Sequence, residues 1–167
     1  VGLYPISFSR LIAGVATGEK FLEPKFIDAE ARIGQTGVDE VAHANLEFKN
    51  GIKAKVSTAV MESMKNNAVI TGSEGTLQLP DPWMPGREGG PYHAKIIINK
   101  NGNEDIIDVK GPEHLFFFEG ELASQCIAKE KTQPPHPAMT WEDTLGNLQA
   151  LDRWREKVNY KLPQDEI

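Results

Sequence analysis

A single cysteine, Cys126, stands among 167 residues, so no disulfide can form within the chain and a reducing compartment is the expected setting. Long apolar runs are missing as well. No stretch approaches the ~18 apolar residues of a membrane span, and no signal peptide leads the chain, so a soluble cytoplasmic protein is expected. Positive charge is in short supply, with 18 Lys and Arg against 24 Asp and Glu and a net charge of −6. Without a basic patch or run to neutralise phosphates, no nucleic-acid partner is expected. The acidic residues are scattered and read as a solvated surface. No Gly-x-Gly-x-x-Gly follows a strand pattern, and Gly72-Ser73-Glu74-Gly75 is too short to cradle a phosphate. His43, His93, His114 and His136 lie far apart in different elements, with no His-x-x-His or cysteine pair, so no metal site is expected. Cys126 falls in an apolar helical pattern and reads as core filler rather than a nucleophile.

What is present is a globular pattern of strands flanked by helices. Pro5 suits a first helical turn, and Ile6, Leu11 and Ile12, with Phe8 beside them, give an apolar face that the sequence ends at Ala13-Gly14. The middle of the chain is β. Phe26–Ile33, Glu40–Phe48 and Ile52–Val60 alternate, with Lys49-Asn50-Gly51 as the hairpin signal between the last two. Ala68–Gly72 and Thr76–Leu79 form a second hairpin around Ser73-Glu74-Gly75. After a Pro- and Gly-rich loop from Pro80 to Pro91, Ala94–Asn99 and Asp105–Val109 pair around Asn101-Gly102. Leu115, Phe116, Phe117, Phe118, Leu122, Cys126 and Ile127 recur at helical spacing over Glu113 to Lys131. A Pro-rich break follows, and Thr140 reads as an N-cap with Glu142 and Asp143 in the first turn. Thr144, Leu145, Leu148, Leu151 and Trp154 carry the last apolar stripe. The class is α+β: one domain over 1–167, an open and mainly antiparallel sheet of about six strands with helices packed on one face. Composition and periodicity go no further than that.

The order of several short segments goes further. Gly2-Leu3-Tyr4-Pro5 enters a helix that carries Arg10. Thr36-Gly37-Val38-Asp39-Glu40 leads into a strand, and Leu46–Gly51 closes a hairpin. Ile70–Thr76 and Leu79-Pro80-Asp81-Pro82-Trp83 follow, then Phe118-Glu119, Pro137–Thr140 and Leu151–Arg155. Together these resemble, end to end, the C-terminal domain of the glucose–fructose oxidoreductase/inositol dehydrogenase (Gfo/Idh/MocA) family, nearest the branch of dihydrodiol and D-xylose dehydrogenases. The resemblance implies an NAD(P)-dependent oxidoreductase moving hydride between a nicotinamide cofactor and a sugar or related diol or carbonyl. In that family an N-terminal Rossmann domain binds NADP or NAD, and the C-terminal domain shapes the substrate pocket and forms a homodimer through its open sheet. This chain would then be the second part alone, inactive when isolated, with the Rossmann domain lying before Val1. A non-catalytic binding or oligomerisation module with the same sheet is the alternative.

The resemblance also assigns roles. Tyr4 falls at the family's catalytic Tyr or His position, as general acid in carbonyl reduction and general base in alcohol oxidation. A free phenol has a pKa of ~10 and needs a nearby cation to act near neutrality. The family supplies it as a lysine of the N-terminal domain, and the family's Asp two residues before Gly2 would lie just off this chain. Trp83 could line a pocket for an apolar diol or a sugar face, or else plug a sheet edge. Successive helical residues diverge by ~100°, so Phe116, Phe117 and Phe118 cannot all face one core; Phe118 is the candidate for substrate. Arg10 either ties its helix to an acidic neighbour or faces the missing domain, where it would count among the substrate-binding residues. Ala42, Ala44, Leu46, Ala54 and Val56 leave one side of the strands mildly apolar, which fits sheet-to-sheet dimerisation. A solvated face with Glu47, Lys53 and Lys55 outward is the competing arrangement.

Overall fold

The computed structural model describes residues 2–85, 91, 93–162 and 165. Residues 86–90 of the Pro80–Pro91 loop, and Val1, lie outside the described residues. Where the sequence reads as one domain, internal contacts gather in two compact units, Val1–Met64 with Gln133–Ile167, and Lys65–Thr132. The class is α+β as expected. The strands hydrogen-bond in two antiparallel ladders, one of three strands and one of four.

In the first unit a helix, α1 (Leu3–Thr17), precedes a meander of β1 (Lys25–Ile33), β2 (Asp39–Glu47) and β3 (Lys53–Ala59). The turn from β2 to β3 uses Asn50 and Gly51 at φ of 69° and 77°. Both residues hold the left-handed conformation that lets a tight hairpin match strand twist, which is why Asn-Gly is so strong a signal. Cross-strand register fixes the faces. Ala29, Ala44 and Val56 stand in one row, and Phe26, Leu46 and Ala54 in the next. These rows lie under the helices and form the core with Ile6 and Ala13 of α1. The opposite face carries Asp28, Asn45 and Lys55, then Glu30, His43 and Ser57, then Glu47 and Lys53. The apolar row expected to lie open for dimerisation is therefore the covered one. In this sheet the uncovered face is the polar one, because the alternation can satisfy helices on only one side.

The last helix of the unit, named α3 below, spans Trp141–Lys157, and the Thr140 side chain accepts from Asp143 N at 3.1 Å, the N-cap read from sequence. Two readings of helical faces need correction. The first helix does not stop at Gly14 but runs to Thr17, with Gly18 as a left-handed C-cap at φ 77°. Gly14 stays helical because the Phe21 backbone returns against it, where a side chain would collide. In α1 the buried residues are Ile6, Arg10, Ala13 and Gly14, and in α3 Asp143, Gly146, Asn147, Ala150 and Trp154. Leu145 and Leu148, expected inward, are exposed together with Trp141.

Arg10 explains the second shift. Its side chain is 0% exposed. Nη1 donates to Asp143 Oδ1 at 2.7 Å, to the Asp143 carbonyl at 3.1 Å and to Asn147 Oδ1 at 2.6 Å, and Nη2 donates to Glu23 Oε1 at 2.6 Å. Phe21 stacks 4.6 Å from the guanidinium. A buried charge must be met by charge and hydrogen bonds, so α3 turns Asp143 and Asn147, not Leu145 and Leu148, toward α1. Gly146 makes the room, since a β-carbon there would lie 2.5 Å from Glu23 Oε1 and closer still to Arg10 Nη2.

The second unit is a meander of β4 (Asn67–Gly72), β5 (Gly75–Pro80), β6 (His93–Lys100) and β7 (Asn103–Lys110), followed by α2 (Leu115–Ala128), which makes α3 the third helix of the chain. Asn101 and Gly102 again take positive φ at the β6–β7 turn. Pairing places Ile70, Leu77 and Ile98 in one row and Ile96 with Ile107 beside it. None of the aliphatic residues of these four strands is buried. On the other face His93 Nε2 and Asp108 Oδ1 lie 3.2 Å apart. The hydrogen bond from His93 holds the Asp108 carboxyl below the ordinary Asp value, with Lys110 and Lys95 acting the same way.

Two outcomes follow from this packing. Alanine at Gly146 gains ~1 kcal/mol of helix propensity, but overpacking and disturbance of a buried ion pair cost more. We expect Gly146→Ala to lose about 1–3 kcal/mol net, measured as a lower urea midpoint at unchanged slope. For Asp108, a depressed folded-state pKa stabilises above the unfolded value and is lost as pH falls through the folded one. His93→Gln should raise its titration point toward 3.8, followed by the carboxyl carbon shift in NMR. An unmoved titration would show that His93 is not the cause.

Candidate functional site

Tyr4 sits in the first turn of α1, one residue before Pro5, and is 58% exposed. At ~100° per residue it projects opposite the Ile6–Arg10–Ala13 stripe, so burial of that stripe forces the phenol outward. Gly2 caps the helix without a side chain. Its α-carbon packs so closely on α3 that an added β-carbon would lie 3.1 Å from Trp154 Cζ3 and 3.5 Å from Leu151 Cδ2. Trp154 in turn stacks at a tilt on Phe26, ring centroids 6.1 Å apart. The Gly-x-Tyr-Pro segment is thus a close helix start that presents a tyrosine.

The other candidates fall in different places. Of the two readings of Arg10, the structure shows the tie to acidic neighbours. Its guanidinium is enclosed by Asp143, Asn147 and Glu23 and leaves no atom at the surface to meet a substrate. Trp83 and Phe118 belong to the second unit. Trp83 is half-buried in the bend after β5. Phe118 is exposed on α2, edge-on to Phe117 with centroids 5.9 Å apart, and Phe116 and Phe117 are exposed as well. His114 caps this helix by accepting from Phe116 N, and their rings are 5.2 Å apart.

Sequence reasoning missed the partners of Arg10. Asp143 was legible as a first-turn acid, but nothing in its spacing tells which cation it meets 133 positions away. It also missed a cleft of about 280 Å³ on the polar face of the first sheet, lined by Asp28, Glu30, His43, Asn45 and Lys55. Within it Asn45 donates to Asp28 at 2.6 Å, and His43 Nδ1 lies 2.7 Å from Ser57 Oγ. The signal was the pairing of Asp28 and Glu30 with Asn45 and His43 across β1 and β2.

Among the described residues no three His, Cys, Asp or Glu side chains are placed to hold a metal, and no helix is long and apolar enough to cross a membrane. Nor do these residues fit a dinucleotide. Every strand pair among them is antiparallel, so none forms the βαβ turn whose helix N-terminus receives a pyrophosphate.

No family model matches the chain. Over 172 residues, 99% of the chain, it is 23% identical to the trans-1,2-dihydrobenzene-1,2-diol dehydrogenase of Mus musculus, covering 47% of that protein. The Xenopus tropicalis enzyme of the same name is 28% identical over 155 residues, 89% of the chain and 43% of the relative. The chain therefore spans about half the length of the curated relatives it matches. Among solved structures, a variant of a 3-ketoreductase from Actinomadura kijaniata, in complex with TDP-benzene and NADP, superposes with a TM-score of 0.72 at 22% identity, over 95% of this chain and 46% of that one. An aldose-aldose oxidoreductase from Caulobacter crescentus, complexed with glycerol, gives 0.73 at 16% identity, over 95% and 44%. By sequence the chain resembles the dihydrodiol dehydrogenases, and by fold it resembles about half of the 3-ketoreductase and of the aldose-aldose oxidoreductase.

Proposed function

We propose that this chain is the substrate-side domain of an NAD(P)-dependent oxidoreductase acting on a sugar or a related diol or carbonyl compound. The observation that carries this reading is Tyr4, a phenol held outward at the head of a helix that is locked on its other face. The sequence relatives support it, because they are diol dehydrogenases aligned over nearly the whole chain. NADP is favoured over NAD by the ketoreductase complexes of like fold.

The cofactor supplies the hydride chemistry and is held by a further domain of the whole protein, a reading supported by the absence of a dinucleotide cradle among the described residues. What the chain itself contributes is a proton. The Tyr4 hydroxyl donates it to the carbonyl oxygen in reduction, and the Tyr4 phenolate accepts it from the substrate hydroxyl in oxidation. A phenol acting near neutrality needs a cation beside it. Arg10 is enclosed and about 9 Å along the helix, and the family resemblance implies a lysine of the cofactor domain for that place. Trp83 and Phe118 are the aromatic residues proposed for apolar contact with substrate. The exposed row Trp141, Leu145 and Leu148, at i, i+4 and i+7 on α3, is a fitting surface for the cofactor domain. Unburied Ile70, Leu77, Ile96, Ile98 and Ile107 in the second sheet fit a homodimer better than the polar face of the first sheet does.

The test is Tyr4→Phe in the full-length protein, assayed with NADP against sugars, diols and their carbonyl forms. Turnover should fall by roughly 10²–10⁴-fold, the range of a lost acid–base group, with cofactor binding unchanged. A variant as active as the parent would sink the assignment and leave the chain as a binding or oligomerisation module.

A further inference from the structure

We propose that Arg10 is a positioning residue for Tyr4, the buried pin that fixes the rotation and advance of α1 and so the place of the phenol; this rests on the reading of Tyr4 given above. Both residues ride one helix, about 9 Å apart along its axis, and the backbone ladder makes that offset rigid. Whatever holds Arg10 therefore holds Tyr4.

Ile6 and Ala13 pack α1 into the core, and two further holds lie on either side of Tyr4. At Gly2 the hold is van der Waals contact with Trp154 and Leu151, a contact that can slide. At Arg10 it is directional. Four hydrogen bonds of 2.6–3.1 Å run from the two terminal nitrogens to Asp143, Asn147 and Glu23. A planar guanidinium fork meets such acceptors in one orientation only. Rotation of α1 would carry the charge out of its acceptors, and translation would break the bonds to α3. Glu23 adds the connection after α1 to the same pin, and the backbone N–H of Leu22 donates to the Arg10 carbonyl at 3.2 Å. An apolar residue at position 10 could fill the seam without specifying any of this. The choice of a buried charge in an otherwise apolar stripe is what marks position rather than adhesion as its role. Proton transfer is sensitive to such placement, since a misfit of about 1 Å can cost ~10²-fold in rate.

The experiment compares Arg10→Lys, Arg10→Met and Glu23→Gln in the full-length protein with NADP and a substrate from the screen above. Expected are a kcat roughly 10–100-fold lower in Arg10→Met, KM within about threefold, unchanged cofactor affinity, and partial recovery of kcat in Arg10→Lys. Glu23→Gln, at a half-exposed position, should lose a smaller part of kcat with the fold intact. If Arg10→Met does not fold, Arg10→Lys and Glu23→Gln decide by the same criterion. Variants that melt earlier yet keep the parent kcat below their melting point overturn the proposal, as does a loss confined to KM. An unaffected Tyr4→Phe control overturns the reading of Tyr4 itself, whatever the Arg10 variants do.

Discussion

A guanidinium sealed from water tolerates little choice in its surroundings. Removing one partner of such a buried pair leaves a charge uncompensated at a cost of about 3–5 kcal/mol, whereas replacing the whole cluster by well-packed apolar groups is often neutral. The Arg10 cluster thus constrains arrangement more than it adds net stability. Around it the first unit takes its form. α3 presents Asp143 and Asn147, Gly146 vacates the space between them, and Phe21 and Glu23 fold back from the connection. Ile6, Ala13, Ala150 and Trp154 then bury the sheet rows of Phe26, Ala44, Leu46 and Val56. Tyr4 is turned outward as a geometric corollary of that burial.

The two units solve the problem of an antiparallel sheet differently. β1–β3 have one face under helices and one face of paired polar side chains, so each row is accounted for within the unit. β4–β7 carry aliphatic side chains without burying one of them. Their cohesion rests on backbone ladders, tight turns and cross-strand pairs such as His93 with Asp108, each worth a fraction of what core burial gives.

Much of the fold was legible because it obeys short-range rules. Asn50-Gly51 and Asn101-Gly102 announced hairpins through residues that accept positive φ, and alternation placed every strand within a residue or two. Thr140 marked the start of α3. The helical faces were not legible. A stripe argument assigns leucines inward and arginine outward, and here one buried arginine reverses the order, leaving Leu145 and Leu148 exposed. Gly14 read as a stop although its empty side admits the Phe21 backbone. Tyr4 was identified through resemblance alone, since no local spacing distinguishes a presented phenol from an aromatic helix anchor. The partners of Arg10 are a tertiary fact, beyond any window of sequence.

That separation along the chain has a consequence during synthesis. Arg10 leaves the ribosome 133 residues ahead of Asp143. At about 5–20 residues per second that is a wait of roughly 7 to 27 s. For that interval Arg10 has Glu23 but neither Asp143 nor Asn147, and α1 lacks the helix it packs against. The second unit is translated within the gap, and its four strands pair with sequence neighbours through short loops, contacts that form early. The middle of the chain is therefore complete before the unit built from the segments that flank it in sequence. A nascent chain arrested before Thr140 would hold its strands but leave α1 without α3 and part of its apolar stripe open, a client for chaperones that bind exposed apolar helix.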